Sequence, residues 1–192
     1  MAKVMKRIVN ACLAFCLIIM VSTTTVFATI AVYGSEKVGY MVSSTQLRKK
    51  TNTFDDSALN KKYKKYTSYM TYGAKVWKDC GVVTLKRDKS SVNKVGAYQE
   101  EDTTILAYAQ CTPDHKTGKV KKFTIQFNTT NMEHETTSIN NSVAAHEIGH
   151  TFGLLDLYEK RNEDKVMYGI INKDNAKPTA KDIKGAKYAT RK

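Results

Sequence analysis

The stretch Asn141-Ser142-Val143-Ala144-Ala145-His146-Glu147-Ile148-Gly149-His150-Thr151-Phe152-Gly153-Leu154-Leu155-Asp156 gathers metal-ligand and acid/base side chains more densely than any other part of the chain. A helix turns about 100° per residue, so residues four apart stand one above the other. His146 and His150 therefore share a face and can offer ring nitrogens to one ion, the spacing expected of a zinc-binding helix. Glu147 lies one step round, where its carboxylate can reach a water on such an ion without joining the coordination shell. Ala144, Ile148, Phe152 and Leu155 recur at core-packing intervals on the opposite face. Gly153 can take the left-handed conformation that ends a helix and turns the chain, which would return Asp156 as a third ligand.

Working outward, residues 58–80 carry a second helical pattern. Tyr63, Tyr66, Met70, Ala74 and Trp77 form one stripe, lysines occupy the other side, and Gly81 stands at the C-terminal stop. The aromatic stripe reads as core. Alternating segments at 81–86, 95–99, 103–111 and 123–128 read as strands, with Pro113, Asp114 and Gly118 marking the turn before the last. A helix, a small sheet and a second helix make an α+β layout. Residues 129–141 form a polar approach to the active-site helix, with Thr137, Ser138, Asn140 and Asn141 as candidate caps. His134 and His115 read as loop residues, because no partner histidines stand at ligand spacing from them. A last helix begins at Pro178-Thr179-Ala180-Lys181-Asp182-Ile183, where Thr179 and Asp182 can cap reciprocally.

The N-terminal residues read as a separate piece. Lys3, Lys6 and Arg7 precede an apolar run over 8–21, and Val26-Phe27-Ala28 offers a cleavage site, so residues 1–28 are a predicted secretory signal peptide. The run is short for a membrane span, which needs about 20 residues, and this sets aside an uncleaved anchor. The expected location is extracellular. Residues 29–56 are polar and weakly patterned, expected as a flexible extension or short propeptide; they hold no cysteine, which excludes a thiol latch on a metal. Removal of the leader leaves Cys80 and Cys111, expected either to form one disulfide or to remain two buried thiols.

Residues 29–192 suit one domain. Of the formal charge of +13, three charges lie in Lys3, Lys6 and Arg7, and the remaining +10 is spread along the chain. That balance favours attraction to anionic polymers such as a cell envelope. Neither a nucleic-acid reading motif nor a basic helix is present, so no nucleic acid partner is expected.

The run from His146 to Asp156, followed by Val166-Met167-Tyr168-Gly169, resembles the extended zinc motif and Met-turn of the metzincin metallopeptidases. Within that clan the chain is most similar to matrixin-type catalytic domains, which also begin with a helix bearing a tryptophan, here Trp77. They end with a helix like that at Pro178, Thr179, Asp182 and Ile183. The resemblance implies a zincin fold over 57–192: a small mixed twisted sheet, a long N-terminal helix, an active-site helix and a C-terminal helix. It implies a monomeric zinc endopeptidase acting on protein or peptide substrates. One zinc is implied on His146, His150 and Asp156, with Glu147 as general base and Met167 as a hydrophobic base beneath the metal. Residues 103–111 match the edge strand that pairs with substrate.

The chain departs from the matrixin pattern at Asp156, where matrixins have a third histidine; snapalysin-like and immune-inhibitor-like peptidases have aspartate there. It also lacks a tyrosine two residues after the methionine, where Gly169 stands, which leaves Tyr168 and Tyr158 as candidate oxyanion stabilisers. Calcium is compatible with the sequence, but nothing in it indicates a site. The competing readings are a non-catalytic secreted zinc- or envelope-binding protein with the same fold, and a cationic adhesion module bearing the motif by accident; the presence of Glu147 weighs against the first.

Overall fold

The computed structural model describes residues 32–43, 50–59, 61–114, 116–170 and 177–191. The signal peptide expected over 1–28, His115 and all but the last residue of the loop at 172–177 lie outside them. The elements in chain order are β1 (Tyr33–Ser35), β2 (Tyr40–Val42), β3 (Thr51–Phe54), α1 (Lys64–Asp79), β4 (Thr84–Arg87), β5 (Lys94–Tyr98), β6 (Ala107–Pro113), β7 (Val120–Asn128), a single turn α2 (Thr129–Met132), α3 (Thr137–Thr151) and α4 (Ala180–Ala189). The expected α+β class holds. Among the described residues no helix is long and apolar enough to cross a membrane.

The sheet runs β4-β3 and β5-β7-β6, with β3 parallel to β4, β5 parallel to β7 and β6 antiparallel to β7. A parallel bridge between Asp55 and Lys94 joins the two parts, through Asp55 N–H to the Asn93 carbonyl and Val95 N–H to the Asp55 carbonyl. The resulting order β4-β3-β5-β7-β6 leaves β6 at an edge. Its inner register onto β7 fixes which of its residues face the helices and which face solvent.

The two long helices lie against each other over this sheet. In α1, Tyr66, Met70, Ala74 and Trp77 are buried as the stripe predicts, and Gly81, with φ of 69°, follows the helix end. Packing is close at Gly73, where an added Cβ would stand 2.9 Å from the backbone carbon of Ala144 and the nitrogen of Ala145. Trp77 seals the same seam: its Nε1 donates to the Ala145 carbonyl at 2.7 Å, and its ring meets Phe152 edge-on at 4.8 Å. The helix that carries the histidines is thereby fixed by its neighbour rather than by its own amphipathicity. Residues from Val143 to Gly149 are buried on every side of it.

Two local expectations are corrected and one open alternative is resolved. Residues 33–43 and 51–56 are no free extension, because β1 and β2 form a hairpin, β3 pairs with β4, and Val42 and Phe54 are buried in the core. Thr136, one residue before the candidates considered, caps α3 by accepting the Ile139 N–H. Cys80 and Cys111 are free thiols, both half-buried. Cys80 caps the end of α1, whereas Cys111 sits in β6 and its thiol donates to the His150 carbonyl, so neither is available to the other. The capping box of Thr179 and Asp182 is present as expected.

Candidate metal centre

α3 ends where the site begins. Gly153 has φ of 94°, a conformation that a side chain disfavours, and the chain reverses there to bring Asp156 back over the last helical turn. The Nε2 atoms of His146 and His150 stand 3.1 Å apart, and Asp156 Oδ1 lies 2.9 Å from the first and 3.4 Å from the second. His146 Nδ1 contacts the Val166 carbonyl and His150 Nδ1 the Leu154 carbonyl, each at 2.8 Å. A carbonyl only accepts, so these contacts assign the ring hydrogens to Nδ1. Both Nε2 atoms are then bare, and three lone-pair atoms converge without a hydrogen between them.

That arrangement calls for positive charge at its centre. Burial of His150 works against its charged form, but the bond to Asp156 and the charges of Glu147 and Asp156 outweigh it and raise the ring to about 9. Asp156 responds in the opposite direction: burial opposes its ionisation, and the two histidines hold its carboxyl well below the usual range. A proton is one occupant; a divalent cation is the other. Ligands about 2.0–2.1 Å from a tetrahedral zinc stand about 3.3 Å from each other, which the separations of 2.9–3.4 Å match. His146, His150 and Asp156 are the only group of three ligand side chains with this convergence among the described residues.

Glu147 is buried beside them, with Oε2 lacking a protein partner. Burial raises its pKa, partly offset by His146 and His150, and the Ala109 N–H of β6 donates to it. Glu147 is thus held between the three converging side chains and the edge strand. All four side chains line one cleft of about 810 Å³, together with Ile105, Leu106, Tyr108, Ala109, Tyr158 and Ile170 among others.

Met167 lies against the helix at Gly149, between the two histidines in sequence, where its side chain occupies the space a Cβ would need. Its turn does more than fill volume, since Val166 supplies the carbonyl that orients His146. Asp182 in turn accepts from the N–H groups of Val166 and Met167 at 3.3 and 3.4 Å. The sequence marks Asp182 only as a capping residue; its second task depends on where α4 docks.

The two tyrosines separate. Tyr158 is exposed, its ring rests over Gly169, and its hydroxyl donates to Asp156 Oδ2 at 3.2 Å. Tyr168 is buried, bridged to Leu157, and absent from the cleft lining, so its candidacy as an oxyanion stabiliser is withdrawn. His134 is exposed in a loop, as expected.

A mixed sheet with an exposed edge strand, a His-Glu-x-x-His helix and a supporting methionine turn define a metallopeptidase of the metzincin class. The matrixin peptidase family model matches residues 35–189, and the chain belongs to that family. Its members are zinc metallopeptidases, and the match begins within the segment that the sequence marked as an extension. A search of curated proteins finds no match.

Proposed function

We propose that this chain is a secreted zinc endopeptidase that cleaves peptide bonds with Glu147 as general base. The observation that carries the reading is the convergence of His146 Nε2, His150 Nε2 and Asp156 Oδ1 beside a buried, unpartnered Glu147 oxygen. His146, His150 and Asp156 would hold zinc, which would supply Lewis acidity in the cleft they line. Glu147, made more basic by burial and held in its carboxylate form by the Ala109 N–H, takes the proton of the attacking water and returns it to the leaving amine. β6 offers its free edge to an extended substrate, so that main-chain hydrogen bonds align the scissile bond with Glu147. Tyr158 serves the oxyanion of the reacting carbonyl once its hydroxyl, which donates to Asp156 Oδ2 here, turns its proton toward the substrate.

The substrate is a protein or peptide, and the enzyme acts as a monomer outside the cell after loss of residues 1–28. The spread positive charge draws it to anionic cell-envelope polymers by long-range attraction. The decisive test is Glu147→Gln. The variant should retain zinc while cleavage of a mixed peptide library falls by at least about a hundredfold. Undiminished cleavage refutes the role of Glu147. A zinc-loaded wild-type chain that cleaves nothing turns the reading to the non-catalytic binding protein.

A further inference from the structure

Asp156 is the metal ligand that no regular element holds. His146 and His150 ride on α3, but Asp156 stands in irregular chain after the helix has ended, and its position depends on what grips the residues on either side. The β1-β2 hairpin grips both. On the near side, β2 continues into an antiparallel bridge between Val42 and Leu154, with Ser43 N–H donating to the Gly153 carbonyl at 2.8 Å and Leu155 N–H to the Met41 carbonyl at 3.0 Å. On the far side, the hairpin turn presents Glu36. Its Oε1 accepts the Tyr158 N–H at 2.6 Å, and its Oε2 accepts the Glu159 N–H at 3.2 Å and Asn162 Nδ2 at 2.5 Å. Asn162 Nδ2 also donates to the Glu36 carbonyl at 3.0 Å.

We propose that Glu36 is a positioning residue of the metal centre, and that the hairpin is the device which presets the third ligand. A carboxylate accepting three N–H donors makes the stronger, charge-assisted type of hydrogen bond. Here the donors are two consecutive backbone groups and one buried side chain, so the bonds fix the path of the chain and not merely a rotamer. The hairpin is itself immobilised from behind. Tyr40 lies close against Gly185 of α4, and Tyr33 packs on Tyr188 with ring centroids 5.3 Å apart. Asp156 and Tyr158, the two groups proposed to act from this loop, are thereby attached through Glu36 to the hairpin and through it to α4. This inference rests on the reading of His146, His150 and Asp156 as metal ligands. It also assigns a role to residues that the sequence alone marks as a flexible extension or short propeptide.

The test is zinc affinity of the full chain by competition with a chromophoric chelator, together with the visible absorption spectrum of the cobalt(II)-substituted protein. Glu36→Ala should weaken zinc binding by about tenfold, as loss of an outer support typically does, and alter the cobalt spectrum. Glu36→Gln keeps an acceptor for the Tyr158 N–H but turns an amide NH2, which cannot accept, toward the Glu159 N–H and Asn162 Nδ2. It should therefore weaken zinc binding measurably, though less than Glu36→Ala; wild-type affinity in this variant would count against the proposal. Lys37→Ala, on the exposed side of the same turn, should change neither. Circular dichroism of the metal-free variants separates this from unfolding; should Glu36→Ala fail to fold, the affinity of Glu36→Gln decides. Affinity within about twofold of wild type in the folded Glu36→Ala protein, with an unchanged cobalt spectrum, overturns the proposal. Absence of zinc binding by the wild type overturns instead the reading of the metal site on which it rests.

Discussion

Replacing Asp156 by Asn keeps the shape of the side chain and removes its charge, and the metal-free protein should report the loss through the pH dependence of its stability. His150 has a folded pKa of about 9 against an ordinary value of 6.5. A raised pKa means that the folded state binds the proton more tightly, so the stabilisation is complete below about 6.5 and is lost as pH rises through about 9. The difference corresponds to about 3 kcal/mol near pH 6, of which about 1 kcal/mol remains near pH 8.5. Asp156 supplies most of that effect, and burial acts against it. In Asp156→Asn burial still opposes the charged ring and only Glu147 and the Leu154 carbonyl remain to favour it, so the fall over this interval should be clearly smaller. Urea denaturation of both metal-free proteins from about pH 6 to about pH 8.5 measures it, the two thiols being common to both. Wild-type stability should fall by about 2 kcal/mol across it. An equal fall in the variant would refute the account of the site, because the positive charge at its centre would then be owed to something other than Asp156.

Two further outcomes test the frame around the site. Gly73→Ala gains about 1 kcal/mol in helix propensity but forces a methyl against the backbone of Ala144 and Ala145, at a cost of about 1–3 kcal/mol. Because the obstacle is backbone and cannot rotate away, the crowding should win, and a lower melting temperature in calorimetry is expected. Reducing agent should leave the melting temperature unchanged, since Cys80 and Cys111 are free, and both should alkylate in urea without prior reduction.

The readings that held depend on contacts within one or two helical turns. The pairing of His146 with His150, the stop at Gly153, the stripe from Tyr66 to Trp77 and the Thr179–Asp182 box all follow from fixed helical geometry over three to eleven residues. Each is legible because the interacting groups are near each other along the chain. The matrixin resemblance works for the same reason, since its motifs are local.

The tertiary structure decided what local geometry leaves open. Strands β1, β2 and β3 span only three or four residues each, too few for their own pattern to announce them; β1 and β2 pair locally as a hairpin, but β4, α4 and the Asp156 loop, far along the chain, supply what β3 and the hairpin pack against. The two cysteines could be judged only when each was seen against its own neighbour. Asp182 bonding the Met167 turn, and Glu36 reaching Tyr158 from 122 residues away, belong to the same category. The histidine pair was therefore written in the sequence as a period of four and the return of Asp156 as a turn at Gly153, whereas the hydrogen bonds that grip the Asp156 loop join distant segments and form only when the whole domain is assembled.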